Sequence, residues 1–189
     1  VNARDNSGKT ALIYASENGH YKVVKWLLDN EEIDVSAIDM LGKTAFEYAV
    51  EKNFLEIANY FTIYAPLFSA IKRNDIETVK SLLKVDGIDI NFIYKDGMTA
   101  LMIASECGFE EIVKLLLSVD GINVNACNDA RETAIIIASR HGNSKIVKLL
   151  LDDYRVNFHA TDCIGQNSFY TASYYGHGDV VELLLDVEG

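Results

Sequence analysis

Two short apolar clusters alternate along this chain at a fixed spacing. The first, Gly8-Lys9-Thr10-Ala11-Leu12, returns 34 residues later as Gly42-Lys43-Thr44-Ala45-Phe46. Gly97-Met98-Thr99-Ala100-Leu101 reaches Arg131-Glu132-Thr133-Ala134-Ile135 over the same interval, and a further 34 residues lead to Gly165-Gln166-Asn167-Ser168-Phe169. A second cluster follows at constant distance: Val23-Val24-Lys25-Trp26-Leu27-Leu28, Ile112-Val113-Lys114-Leu115-Leu116-Leu117, Ile146-Val147-Lys148-Leu149-Leu150-Leu151 and Val180-Val181-Glu182-Leu183-Leu184-Leu185. A period in this range marks a repeat architecture, in which one supersecondary unit is copied along the chain.

Each unit reads as two helices back to back. Thr10 is an N-cap residue, Ala11 to Ser16 forms a short helix rich in small side chains, Gly19 ends it, and a second helix begins near Tyr21. Ala15, Ala49, Ala104, Ala138 and Ala172 recur at one helical position, where a larger side chain would hold neighbouring helices apart. The Leu-Leu pairs of the second helices supply the bulk between units. One such helix pair cannot bury both of its apolar sides, so the units must stack.

The order Asp-x-x-Gly-x-Thr-x-Leu-x-x-Ala-x-x-x-Gly-His, then Val-Val-x-x-Leu-Leu, then Val-Asn-Ala, resembles the ankyrin repeat, and Asp5 to Ala37 carries nearly all of it. The family's Pro after Thr is Ala11, Ala45, Ala100, Ala134 and Ser168 here, and its His is replaced by Ile13, Glu47, Met102, Ile136 and Tyr170. The resemblance implies an all-α ankyrin-repeat solenoid of about six stacked helix-turn-helix units joined by short β-fingers, at approximately 1–38, 39–64, 65–93, 94–127, 128–161 and 162–189.

One interval breaks the period. From Gly42 to Gly97 is 55 residues, 13 short of two repeats, and the shortfall falls between Phe61 and Pro66, so one finger is missing near residues 61–66. Tyr60-Phe61-Thr62-Ile63-Tyr64 should finish a second helix, with Pro66 in the first turn of the next, where its absent N–H is no loss. We read residues 1–189 as one notched stack; a second array starting at Ala65 is the alternative.

Composition narrows the function. With 49% hydrophobic and 24% charged residues the chain is that of a folded protein. The apolar runs fall far short of a bilayer span of ~20 residues, and the polar start Val1-Asn2-Ala3-Arg4-Asp5 is neither an initiator nor a signal peptide, as if cut from a longer protein. Cys107, Cys127 and Cys163 cannot all pair within one chain and lack C-x-x-C spacing, which suits reduced thiols in the cytoplasm. A net charge of -11 repels phosphate backbones and anionic lipid, so neither nucleic acid nor membrane is an expected partner.

Sites of chemistry are not evident. His20 and His177 sit at the family's helix-helix turn, and His141 and His159 lack a Cys or carboxylate at ligand spacing. Gly176-His177-Gly178 has Val181 where a dinucleotide loop needs its third glycine, Asp86-Gly87-Ile88-Asp89 lacks the alternating carboxylates of a calcium loop, and no G-x-S-x-G elbow occurs. The expectation is a non-catalytic chain that uses no cofactor or metal.

The resemblance implies instead a protein partner held on finger tips and the exposed ends of the first helices. Carried over position by position, these are Met40, Leu41 and Lys43 in the second unit, Lys72 and Arg73 in the third, and Lys95 and Met98 in the fourth. The fifth gives Arg140 and His141, and the last gives Ile164, Tyr174 and Tyr175. Adjacent apolar residues at a finger tip, Met40-Leu41, point to a partner or to the neighbouring finger, while Tyr174-Tyr175 is either a binding hot spot or a surface buried under a further repeat. Asn2, Asn91 and Asn125 fall where some ankyrin proteins are hydroxylated, and Ser36 and His159 depart from that position. The reading is a monomeric protein-interaction scaffold; the alternatives are a regulatory or targeting segment of a larger enzyme or effector, and a mechanical spacer.

Overall fold

Threonines and one asparagine start the first helix of each pair by capping it. Thr10, Thr44, Thr99 and Asn167 accept from the backbone N–H groups of Ile13, Glu47, Met102 and Tyr170, satisfying a donor that the first turn leaves unpaired. In the computed structural model, which describes residues 1–30 and 32–188, the helices are α1 (Ala11–Glu17), α2 (Tyr21–Leu28), α3 (Ala45–Glu51), α4 (Leu55–Asn59), α5 (Ala65–Lys72) and α6 (Ile76–Leu82). They continue as α7 (Ala100–Cys107), α8 (Glu110–Leu117), α9 (Ala134–Arg140), α10 (Ser144–Leu151), α11 (Ser168–Tyr175) and α12 (Gly178–Glu188). The tight turn inside each pair uses a left-handed residue, glycine in most units and Asn53 or Asn74 in the second and third. The fold class is all-α.

Two compact units divide the chain, Val1–Pro66 and Leu67–Gly189. In the first, α1 packs along α3 and α2 along α4, burying Leu12, Ile13, Val24, Tyr48 and Ile57 around Ala15, Ala45 and Ala49. In the second, α7, α9 and α11 form an inner row and α6, α8, α10 and α12 an outer row. Ala104, Ala138 and Ala172 are fully buried in the inner row, and Ile112, Leu116, Ile146 and Leu150 fill the space between the rows.

The fingers, the loops from each outer helix to the next inner helix, are turns rather than strands. Among the described residues only Cys127 and Thr133 form an antiparallel bridge, because each finger is held by one side chain instead of a ladder. The Asp39 carboxylate accepts from the N–H groups of Leu41 and Lys43, Asp5 does so from Ser7 and Lys9, Asn128 from Ala130 and Glu132, and Asp162 from Ile164 and Gln166.

Successive fingers within a unit are tied together by backbone and by asparagine. Met40 donates its N–H to the carbonyl of Ser7, Asp129 to Asp96 and Cys163 to Ala130. The Asn91 amide donates to the Gly121 carbonyl and accepts from the Asn123 N–H, and Asn125 does the same with Arg155 and Asn157. Asn2 makes the equivalent pair with Glu32 and Asp34.

Residues 60–66 carry no finger, as the shortened interval predicts, but they do not break the helix either. A π-helical turn over Tyr60–Tyr64 runs directly from α4 into α5, with the Ala65 N–H reaching the Tyr60 carbonyl. Pro66 therefore lies inside a continuous helical run rather than at a fresh start. A proline ring clashes with the carbonyl four residues before it, and the wider π turn just upstream is one of the few helical geometries that relieves this. Tyr60, whose ring is fully buried, donates from its hydroxyl to Asp29 at 2.7 Å and meets Tyr21 edge-on. Burial pushes the Tyr21 phenol up to about 12.

Candidate functional site

The finger tips and the C-terminal ends of the inner helices lie on one side of each unit, because every finger turns directly into an inner helix. In the first unit this side is laced by its own charges. Lys9 reaches Glu17 and Lys43 reaches Glu51, both at 2.6 Å, and both ammonium groups also lie over the Tyr48 ring. The Tyr14 and Tyr48 hydroxyls donate to Asp5 and Asp39 at 2.7 and 2.6 Å. The Tyr14 hydrogen bond, followed by that of Ser7, holds the Asp5 carboxyl down at about 2, and the Tyr48 hydrogen bond lowers Asp39. Lys43, a sequence-predicted contact residue, is thus already engaged, while its neighbours Met40 and Leu41 project into solvent at 79% and 74% exposure.

In the second unit the same register carries the opposite polarity. Glu132 stands where Lys9 and Lys43 stand and pairs with Arg140, which replaces Glu17 and Glu51. The Asn128 amide also donates to Glu132. Met98 is half-buried and its sulfur accepts from the same amide, so this residue packs inside the fingers more than it projects from them. Where other fingers place Asp or Asn, the fourth repeat has Tyr94, whose ring packs 4.5 Å from that of Phe68 and carries the ammonium groups of Lys72 and Lys95 over it at 4.8 and 5.8 Å. Lys72, Arg73 and Lys95 are exposed.

The last finger and inner helix form an aromatic cluster. Tyr174 is 71% exposed, stacks nearly parallel to Tyr170, and meets Tyr175 edge-on at 5.1 Å; Tyr175 in turn stacks on His177. Ile164 is exposed on the adjoining finger. His177 Nε2 bonds the Arg140 carbonyl at 2.8 Å, and exposed His141 has its Nδ1 3.0 Å from the Ile137 carbonyl. Both imidazoles are thus drawn into local backbone contacts. Among the described residues no group of three or more His, Cys, Asp or Glu is placed to hold a metal ion, and no helix is long and apolar enough to cross a membrane.

Two features escaped the sequence reading. Arg131 adopts φ 61° at the position where the other fingers use Gly8, Gly42, Gly97 and Gly165, and its exposed side chain forms no ion pair among the described residues. The clue was present: arginine interrupts a column of glycines. A shallow cleft of about 340 Å³, lined by Leu117, Leu149, Asp152, Asp153, Tyr154 and Arg155, opens between the ends of α8 and α10. Its Tyr154 ring is almost wholly in solvent.

A family model described as ankyrin repeats in three copies matches residues 1–65, 63–128 and 121–189. The human transient receptor potential cation channel subfamily A member 1 is 29% identical over 106 residues, a match covering 49% of this chain and 10% of that protein. The chain thus corresponds to about a tenth of the length of this relative. Matched from end to end, and built of the capped helix pairs and tied fingers described above, the chain belongs to the ankyrin repeat family.

Proposed function

We propose that this chain is a non-catalytic protein-binding module of the cytosol that needs no cofactor and holds a protein partner on its finger tips and inner-helix ends. The observation that carries the reading is a rigid frame with exposed apolar tips. Backbone bonds from Met40 to Ser7 and from Cys163 to Ala130 fix the fingers, while Met40, Leu41, Ile164, Tyr174 and Tyr175 remain in solvent. A preformed surface loses little ordering entropy on binding, and exposed tyrosines offer large contact area with few rotors. Lys72, Arg73, Lys95, His141 and the strained Arg131 add positive or ionisable groups around the apolar tips. Three exposed free thiols suit a reducing compartment.

A second reading is that the module regulates or targets a longer polypeptide. It draws on the relative being a cation channel subunit in which the matched stretch is a small part. Under either reading the binding surface is the same. Pull-downs with wild type, Met40→Glu/Leu41→Glu and Tyr174→Ala/Tyr175→Ala, with circular dichroism to confirm equal helicity, test it. A partner retained by wild type and lost from at least one variant is the expected result; partner sets identical for all three oppose it.

A further inference from the structure

The outward face of the first helix pair exposes the register that other pairs bury. Ala11, Tyr14, Val23 and Trp26 are exposed, yet their equivalents one repeat on, Ala45, Tyr48, Ile57 and Tyr60, are buried. Trp26, the chain's single tryptophan, is 79% exposed where Tyr60 is wholly covered. The outward face of the last helix pair shows the converse. Tyr170, Ser173 and Leu185 are exposed, whereas the residues in step with Tyr170 and Ser173, Ile136 and Ser139, are sealed, and Leu151, in step with Leu185, is partly buried.

These two faces are the halves of one interface type. Within the chain, the face exemplified by Ile13, Ser16 and Val24 is the one that receives the next pair's Tyr48 and Ile57. Terminal repeats that stay in solvent carry polar outer faces, and these two do not. Their charges are also complementary. Helix α2, Tyr-Lys-Val-Val-Lys-Trp-Leu-Leu, carries Lys22 and Lys25 and no acid, whereas α12 carries Asp179, Glu182, Asp186 and Glu188 and no base. Outer helices of successive repeats pack side by side, as α8 does with α10 and α10 with α12.

We propose that a second copy of this chain covers each face, the α11/α12 face of one copy stacking on the α1/α2 face of the next in a head-to-tail contact. Such a contact uses two different patches, so it propagates without closing. Like-to-like pairing of two α2 helices would oppose lysine to lysine, and of two α12 helices acid to acid. The stacking goes beyond the binding reading above and departs from the monomer expected from sequence, which does not display which helix faces stay uncovered.

Sedimentation of the 189-residue chain as a function of concentration, with Trp26 emission read on the same samples, tests the stacking. Mass should rise beyond one copy as concentration increases, emission should shift to the blue in step, and added salt should weaken both. Lys22→Glu, an exposed substitution, should raise the concentration needed by about tenfold or more, and adding Glu182→Lys to the same chain should restore much of the loss. A single-copy mass at every concentration with unshifted emission overturns the proposal and leaves the face to another polypeptide. Association indifferent to Lys22→Glu, or without change in Trp26, overturns it as well.

Discussion

At the scale of single residues, buried polar atoms and backbone conformation set stability against whatever the surface is used for. Ser16, Ser105 and Ser139 are fully buried at one repeat position, and none of their hydroxyls has a hydrogen-bond partner. An unpaired buried hydroxyl costs ~1–3 kcal/mol. Replacing any one with alanine should therefore raise stability by about 1 kcal/mol, read from the urea midpoint. Arg131 carries a similar cost in its backbone, since a left-handed non-glycine residue is disfavoured by ~1–2 kcal/mol. Arg131→Gly should stabilise by about 1 kcal/mol and weaken partner binding if the arginine is kept for contact; stability unchanged by the substitution would contradict the strain argument.

The Asp5 carboxylate supplies a pH dependence of known sign. Its folded-state value, about 2, lies below the ordinary 3.8, so the stabilisation is complete above the ordinary value and is lost as pH falls from 3.8 towards about 2. Asp5→Asn should remove that contribution. The difference in urea midpoint between wild type and variant should accordingly be constant at neutral pH and shrink across that acid window. A difference that instead grew below pH 3.8 would contradict the Tyr14–Asp5 assignment.

At the scale of elements, the helix pairs were legible and the joints between them less so. Thr10, Thr44 and Thr99 announced helix starts because a cap works through residues only three apart, and the same locality made Gly19 a readable stop. Thr133 looks identical in sequence, yet its hydroxyl has no partner, since burial decides whether a cap bond forms. The missing finger was legible as a short interval, but the continuous π turn through Tyr60–Tyr64 was not, because apolar spacing hardly distinguishes a widened helical turn from a helix end. Ser36 explains itself afterwards: thirty residues beyond it the chain is helical, so no finger carbonyl lies there for an asparagine to meet. The ladder asparagines bind at both ends, and Asn125→Ala should cost about 1–2 kcal/mol, from two hydrogen bonds of ~0.5–1.5 kcal/mol each. Chemical denaturation measures this, and Ser36→Ala serves as the control with little effect.

At the scale of the molecule, family membership followed from the repeat, whereas the character of the candidate surface depended on contacts that sequence spacing does not encode. Lys43 and Arg140 looked like free charges for a partner, but each is paired across eight residues, a separation that joins finger to helix end and has no sequence rule. Met98 was drawn inward for a similar reason, its sulfur meeting an amide thirty residues away. Met40, Leu41, Ile164, Tyr174 and Tyr175 are the predicted contacts that the fold leaves most open. The proposed function therefore concentrates on apolar tips and tyrosines with positive groups around them, and less on the salt-bridged lysines. The measurement that tests it most directly is in-cell photo-crosslinking from single sites, with the reactive residue at Leu41 or Tyr174 on the finger side and at Lys22 or Lys148 on the outer helices. A discrete protein adduct from Leu41 or Tyr174, absent from Lys148, is the predicted result, and adducts arising only from the outer helices would contradict a finger-side binding surface.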